Sequence, residues 1–256
     1  NVDADVEVEY TVEGKGRSDP LSLHIGAGLG TLLPPSVDYA PSGTLDPHDA
    51  VGGITVRVPS LSPPLLATDR VQAALDMASW SSAKPGNGEL VYTFTSEEFG
   101  KFVGDTAPIW YLVVRNGERH DSQVLSLRVL RFADRDPVLP KPYINEAIGD
   151  TIDLDIVTGD VLVHAGPWPL ASSGQRAWLE VRGTAGGQAR TITLFEAERV
   201  KLTDVDWGMY APLPHAELRA LDDNSTVTLV FWVAFGGSTN KADAVLFPER
   251  EYTLSK

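Results

Sequence analysis

Near the start of the chain, Val6, Val8, Tyr10 and Val12 alternate with Glu7, Glu9, Thr11 and Glu13. A period of two places the apolar side chains on one face of an extended segment and so predicts a strand with one buried face. Gly14-Lys15-Gly16-Arg17-Ser18 then supplies a turn, and Leu21, Leu23 and Ile25 resume the alternation, which predicts a hairpin. The same closing phrase recurs further on. Ile109, Tyr111 and Val113 lead to the turn Arg115-Asn116-Gly117-Glu118 and the strand 124–129. Leu229, Phe231 and Val233 lead to Gly236-Gly237-Ser238 and a last extended stretch, Ala244 to Leu254.

Upstream of these closing hairpins, two segments run in parallel, as expected of an internal repeat. Leu33-Pro34-Pro35-Ser36-Val37 matches Leu139-Pro140-Lys141-Pro142-Tyr143, and Ser42-Gly43-Thr44-Leu45-Asp46 matches Gly149-Asp150-Thr151-Ile152-Asp153. Ile54, Val56 and Val58 then correspond to Val161, Val163 and Ala165, and Val71, Ala73 and Leu75 to Ala177, Leu179 and Val181. These readings predict two β-sandwich repeats, 26–133 and 134–256, preceded over 1–25 by the final hairpin of an earlier repeat. The alternative is that the hairpin belongs to the first full domain. Helix is scarce: Thr95-Ser96-Glu97-Glu98 fits a capping box, but Gly100 limits it to about one turn.

Composition narrows the class. The chain has 256 residues, enough for two domains of about 100–150 residues with cores of their own. It has no cysteine, which excludes disulfides, thiolate metal sites and cysteine nucleophiles together. A net charge of -14 without any basic run argues against nucleic acid and anionic membranes as partners. No window approaches about 18 apolar residues, so no membrane insertion is expected, and the chain reads as a soluble fragment or a processed product.

The Leu-Pro openings, the Gly-Asp-Thr-Ile-Asp phrase, the Val-x-Val strands, the Asp69-Arg70-Val71 strand onset and the Ile109-x-Tyr111-x-Val113 closing hairpin resemble bacterial immunoglobulin-like repeats. Such repeats are strung together in very large secreted or surface adhesin-type proteins of Gram-negative bacteria. The resemblance implies an all-β chain of tandem Ig-like Greek-key sandwiches, non-catalytic, serving as stalk, spacer or adhesive surface outside the cell; the alternatives are a carbohydrate-binding module using the loop tryptophans and an accessory domain of a larger enzyme or toxin. Its implied partners are neighbouring repeats of the same chain and a host or cell-surface glycan or protein. The second repeat departs from the first by a longer middle segment, Thr184 to Tyr210.

A screen for chemistry finds no enzyme signature. Gly-x-Ser-x-Gly is absent, and His24, His48, His120, His164 and His215 show no metal-hydrolase spacing. Gly26-Ala27-Gly28-Leu29-Gly30 lacks the following helix a dinucleotide loop needs, and reads as a linker. The pairs Asp3/Asp5, Asp134/Asp136, Asp153/Asp155 and Asp204/Asp206 place carboxylates at alternate positions. Calcium takes about six to eight oxygens, so Asp134, Asp136, Asp153 and Asp155 are the candidate ligands, with solvated loop acids as the ordinary alternative. Trp80, Trp168, Trp207 and Tyr210 lie in loop-like contexts and are the candidates for stacking on a sugar, with core plugging as the competing role. Trp110, Trp178 and Trp232 fall on strands, opposite in parity to the inward positions.

Overall fold

Strands form where the alternation is, and the turns between them fall on residues able to adopt positive φ. The computed structural model describes residues 4–25 and 28–256. The leading hairpin comprises β1 (Ala4–Val8), β2 (Thr11–Val12), β3 (Gly16–Arg17) and β4 (Leu21–Ile25). β1 pairs with β4, and β2 with β3; among the described residues neither pair joins another sheet. The apolar side chains of Val8, Tyr10, Val12 and Leu21 remain exposed.

The next set is β5 (Ser36–Val37), β6 (Thr44–Leu45), β7 (Ile54–Arg57), β8 (Arg70–Leu75), β9 (Ser79–Trp80), β10 (Lys84–Pro85), β11 (Val91–Phe94), β12 (Thr106–Arg115), β13 (Glu118–Asp121) and β14 (Leu125–Val129). One sheet has the order β11-β7-β5; the other runs β10-β8-β12-β14-β6, with β9 on β8 and β13 on β12. The last set is β15 (Tyr143–Ile144), β16 (Thr151–Asp153), β17 (Val161–Ala165), β18 (Arg176–Ala185), β19 (Gln188–Arg199), β20 (Met209–Leu213), β21 (Thr226–Ala234), β22 (Val245–Leu246) and β23 (Arg250–Ser255). Its sheets are β15-β17-β20 and β16-β23-β21-β18-β19, with β22 on β21.

The two sets share one plan. In each, a three-stranded sheet faces a larger one, neighbouring strands are antiparallel, and the first strand of the larger sheet lies parallel to the last: β6 with β14, β16 with β23. This is an all-β, Ig-like sandwich architecture. Helices are confined to short pieces, of which α1 (Ser96–Gly100) carries both bonds of the expected capping box: Glu98 N–H donates to Thr95 Oγ1, and Thr95 N–H to Glu98 Oε2.

The inward positions are those the alternation marks. Val71, Ala73 and Leu75 face Ile109, Tyr111 and Val113, and Ala177, Leu179 and Val181 face Leu229, Phe231 and Val233, all buried between the sheets. The strand tryptophans of opposite parity are covered from outside. Trp80 stands edge-on to Trp110 at 5.6 Å, and Trp178 packs with Ala234 and Ala244. Lys241 lies 3.5 Å above the Trp232 ring, a cation–π contact.

Between the two sets the chain is largely exposed but is anchored by the buried Phe132, Asp136 and Leu139. Phe132, 2% exposed, lies 5.5 Å from Phe235 and takes the His48 ring edge-on at 5.3 Å. Arg135 N–H donates to Leu246 O at 2.6 Å, Leu246 N–H to Asp134 Oδ1 at 3.0 Å, and Arg131 Nη2 to Ala244 O at 2.5 Å. Gly100 admits a close approach here: a Cβ would lie 2.1 Å from Leu170 O.

His48 closes this junction from the first set. Its Nδ1 meets Asp46 Oδ1 at 2.6 Å and its Nε2 meets Asp136 Oδ2 at 3.0 Å. The bond to Asp46, then that to Asp136, raises the imidazole pKa above its ordinary 6.5. A raised folded-state pKa gives stability that is fully present below 6.5 and is lost as pH rises through the folded value. Unfolding midpoints measured from roughly pH 6 to pH 8 should fall on this account. His48→Gln should flatten that part of the profile, and an unchanged profile would show that the clasp contributes nothing.

Candidate functional site

The segment 184–210 of the last set of strands becomes a hairpin and a helix. β18 and β19 turn at Gly186 and Gly187, both at positive φ, and Asp222 secures the turn by accepting Gly186 N–H at 2.6 Å and Gly187 N–H at 2.9 Å. These bonds, with one from Thr184, hold the Asp222 carboxyl below its ordinary pKa, the Gly187 bond having the largest effect. After β19 the chain forms α2 (Leu202–Trp207), in which Asp204 Oδ2 accepts Lys201 N–H at 2.8 Å. Gly208 ends it at φ +76°, where a Cβ would lie 2.2 Å from Ala165 O. The end of α2 is therefore seated against the end of β17.

Three outward positions of the smaller sheet complete the site. Tyr143 of β15 pairs with His164 of β17, which pairs with Tyr210 of β20. Their rings follow suit, with Tyr143 to His164 at 4.9 Å and His164 to Tyr210 at 6.4 Å. His164 Nε2 is 2.8 Å from Trp207 O, which can only accept, so a neutral ring carries its proton on Nε2. Nδ1 then accepts the Tyr143 hydroxyl proton at 2.5 Å. Nε2–H thus holds the backbone carbonyl of Trp207, while Nδ1 orients the imidazole through Tyr143.

The result is an open cleft of about 380 Å³ whose lining includes Trp207, Tyr210, Asn145, Thr203 and Asp204. Trp207 is 74% exposed and Tyr210 62% exposed. A second hollow of about 420 Å³ shares Tyr210, Thr203 and Asp204 with the first and is bounded by Phe195, Glu198, Lys201 and Pro212. Such volumes suit small or extended ligands.

Of the candidates named from sequence, Trp207 and Tyr210 are brought together here. Trp168 is not: at 4% exposure it is a core ring, packed on Phe231 and Phe247, and its indole N–H donates to Gln175 Oε1 at 3.1 Å. The expectation of a surface platform fails for Trp168 because its loop folds inward over the core. Trp80 belongs to the other sandwich, half-buried, with its N–H donating to Met77 O and Arg119 above its face. Tyr143, Asn145, His164 and Thr203 were missed. Tyr143 and His164 could have been found as aromatic residues at outward positions of paired strands.

The candidate calcium ligands are engaged separately. Asp134 accepts from Leu246 N–H and Arg131, while Asp136, itself buried, accepts from Val138 N–H and meets His48. Asp153 accepts Asp155 N–H at 2.9 Å in a local Asx turn. Among the described residues no three acidic or histidine side chains gather as a cation site. Asp3, Gly26 and Ala27 lie outside the described residues, as do the side chains of Asp5 and His24.

No family model matches the chain, and no curated protein matches it. Among solved structures, it is similar to a Ca2+-stabilized adhesin that helps an Antarctic bacterium reach out and bind ice: 15% identity, TM-score 0.29, over 98% of this chain and 56% of that one. The chain thus spans little more than half of that relative's length. It is also similar to the chicken interferon gamma receptor alpha chain: 10% identity, TM-score 0.32, over 90% of this chain and 100% of that one. A third is a 1.5-MDa bacterial ice-binding adhesin: 12% identity, TM-score 0.28, over 90% of this chain and 67% of that one. Scores this low do not establish a shared overall arrangement, and the Ig-like assignment rests on the strand order itself.

Proposed function

We propose that the chain is a non-catalytic structural or adhesive segment of a larger bacterial surface or secreted protein, in which sandwiches are coupled end to end to bear load. The observation that carries this reading is the parallel pairing of first and last strands in each large sheet, β6 with β14 and β16 with β23. Parallel pairing means the chain enters and leaves each sandwich at opposite ends. A pull along the chain then loads the backbone bonds between those strands together rather than one at a time. These include Arg128 N–H to Gly43 O and Leu130 N–H to Leu45 O in the first sandwich, and Leu154 N–H to Ser255 O in the second.

The bonded junction supports the same reading, since the buried Phe132 and the Asp134, Arg131 and Arg135 bonds couple one sandwich to the next. The division proposed is 1–25, 26–133 and 134–256, with the first piece the closing hairpin of a preceding repeat. Its support is that, among the described residues, no side chain before Leu29 packs against the core and the first buried member is Leu32. Among the described residues no helix is long and apolar enough to cross a membrane.

Stretching single molecules by their ends tests this. The expected record has two force peaks, one per sandwich, and no third peak from the hairpin, whose strands among the described residues pair only with each other. Extension at low force without discrete peaks would remove the load-bearing role.

A further inference from the structure

The exposed aromatic pair on the second sandwich calls for a separate explanation, because it is expensive as a surface and is carried on a backbone held in place. Trp207 leaves most of its ring in water. Its indole finds no protein partner among the described residues, although every other part of its setting is secured. Its carbonyl takes His164 Nε2–H, and His164 is oriented by Tyr143. The following glycine is pressed against Ala165 O, and Asp204 ties the start of α2. The backbone that carries the ring is thus fixed while the ring itself lies bare, so a ligand that covers it need not order the main chain, which favours useful stacking energy. Tyr210, held by its place on β20, offers a second bare ring beside it.

The polar groups at the rim decide the ligand class. The Asn145 amide and Thr203 hydroxyl each donate and accept, and the Asp204 carboxylate accepts. That mixture suits hydroxyl groups. An anionic ligand would meet Asp204 with no lysine or arginine lining the first cleft, and in the second hollow Lys201 is offset by Glu198 and Asp204, on a chain of net charge -14. A quaternary ammonium gains most from rings that enclose and desolvate it, whereas Trp207 is 74% exposed on an open wall. A sugar ring combines an apolar C–H face with hydroxyls at its edge, and matches both features.

We propose that the cleft is a binding site for neutral saccharides, with Trp207 stacking on one sugar ring and Asn145, Thr203 and Asp204 taking its hydroxyls. The second hollow, reached past Tyr210 and sharing Thr203 and Asp204, extends the site to a further sugar unit. The preferred ligand is therefore an oligosaccharide rather than a monosaccharide. This goes beyond the load-bearing role and does not depend on it.

The test is titration calorimetry of the full chain with neutral gluco-, galacto- and manno-oligosaccharides of increasing length, beside the matching monosaccharides and tetramethylammonium. The expected result is saturable binding of at least one oligosaccharide series, tighter than its monosaccharide. Trp207→Ala should weaken it roughly tenfold or more, as for a central aromatic anchor, while Trp207→Phe retains most of the affinity. Because Trp207 and Tyr210 are exposed, neither Trp207→Ala nor Tyr210→Ala should alter the unfolding midpoint, which separates lost binding from lost folding. Absence of binding to every neutral oligosaccharide, binding unaffected by Trp207→Ala, or preferential binding of tetramethylammonium would each overturn the proposal. Equal affinity for monomer and oligomer would overturn the assignment of the second hollow.

Discussion

Trp168→Ala is expected to destabilise the second sandwich by about 3–5 kcal/mol from lost packing alone, the usual cost of emptying a large aromatic site in a core. The ring is enclosed by Phe231 at 5.6 Å and Phe247 at 6.0 Å, which also contact each other at 5.0 Å, so a methyl group leaves two rings facing a void. A second loss follows from hydrogen bonding. Gln175, 1% exposed, accepts the Trp168 N–H and donates its own amide to Leu170 O at 2.8 Å and, across the junction, to Gly100 O at 3.4 Å. Removing the indole leaves a buried carbonyl oxygen without its donor, which costs roughly a further 1–3 kcal/mol. Trp168→Phe restores much of the volume but not the donor, so the two variants separate the contributions. Denaturant unfolding at constant m-value measures both. A loss below about 1 kcal/mol for the alanine variant would place Trp168 outside the core and return it to the candidate surface rings.

The second large effect is expected at Asp69, whose carboxylate is fully buried. It accepts Arg115 Nε at 3.0 Å and Arg115 Nη2 at 2.6 Å, and also Leu66 N–H at 2.7 Å. The pair ties the start of β8 to the end of β12, and the Arg115 guanidinium is only 11% exposed. Asp69→Ala strips the carboxylate from a buried cation and should cost about 3–5 kcal/mol. Replacing both residues together, as Asp69→Leu with Arg115→Met, should cost much less, since neither charge then needs compensation. The bonds from Arg115 hold the Asp69 pKa below its ordinary 3.8, against the opposing effect of burial. A depressed pKa contributes stability above 3.8 that is lost as pH falls through the folded value. Acid unfolding of the native chain should therefore contain a component that Asp69→Ala lacks. If both single and double variants unfold alike, the pair is not a coupled unit.

These expectations rest on features of very different visibility in the sequence. Inward positions such as Val71, Ala73 and Leu75 were legible because side chains alternate strictly across a strand, so the pattern is local. The capping box at Thr95 and Glu98 was legible for the same reason, its partners lying three residues apart. The opposite parity of Trp110 and Trp178 was also legible, but their covering was not. Trp80 and Ala244 reach them from other parts of the fold.

The candidate site divides along the same line. Trp168 and Trp207 looked alike as loop tryptophans, and their local residues do not distinguish a loop folded over Phe231 from a helix end held out by His164. The acidic pairs showed the same ambiguity: spacing offered carboxylates for calcium, while long-range partners such as Leu246 and His48 engage Asp134 and Asp136 in the junction.

By itself, then, the sequence determined the all-β class, the paired faces and the turns, because period-two alternation and turn chemistry act between near neighbours along the chain. The tertiary structure alone decided which aromatic rings are buried, which acids hold the junction and that Tyr143, His164, Trp207 and Tyr210 form one platform. Those outcomes depend on contacts such as Tyr143 with His164 and Asp69 with Arg115, made between residues far apart in the chain and set by how strands stack and cross, which no local pattern records.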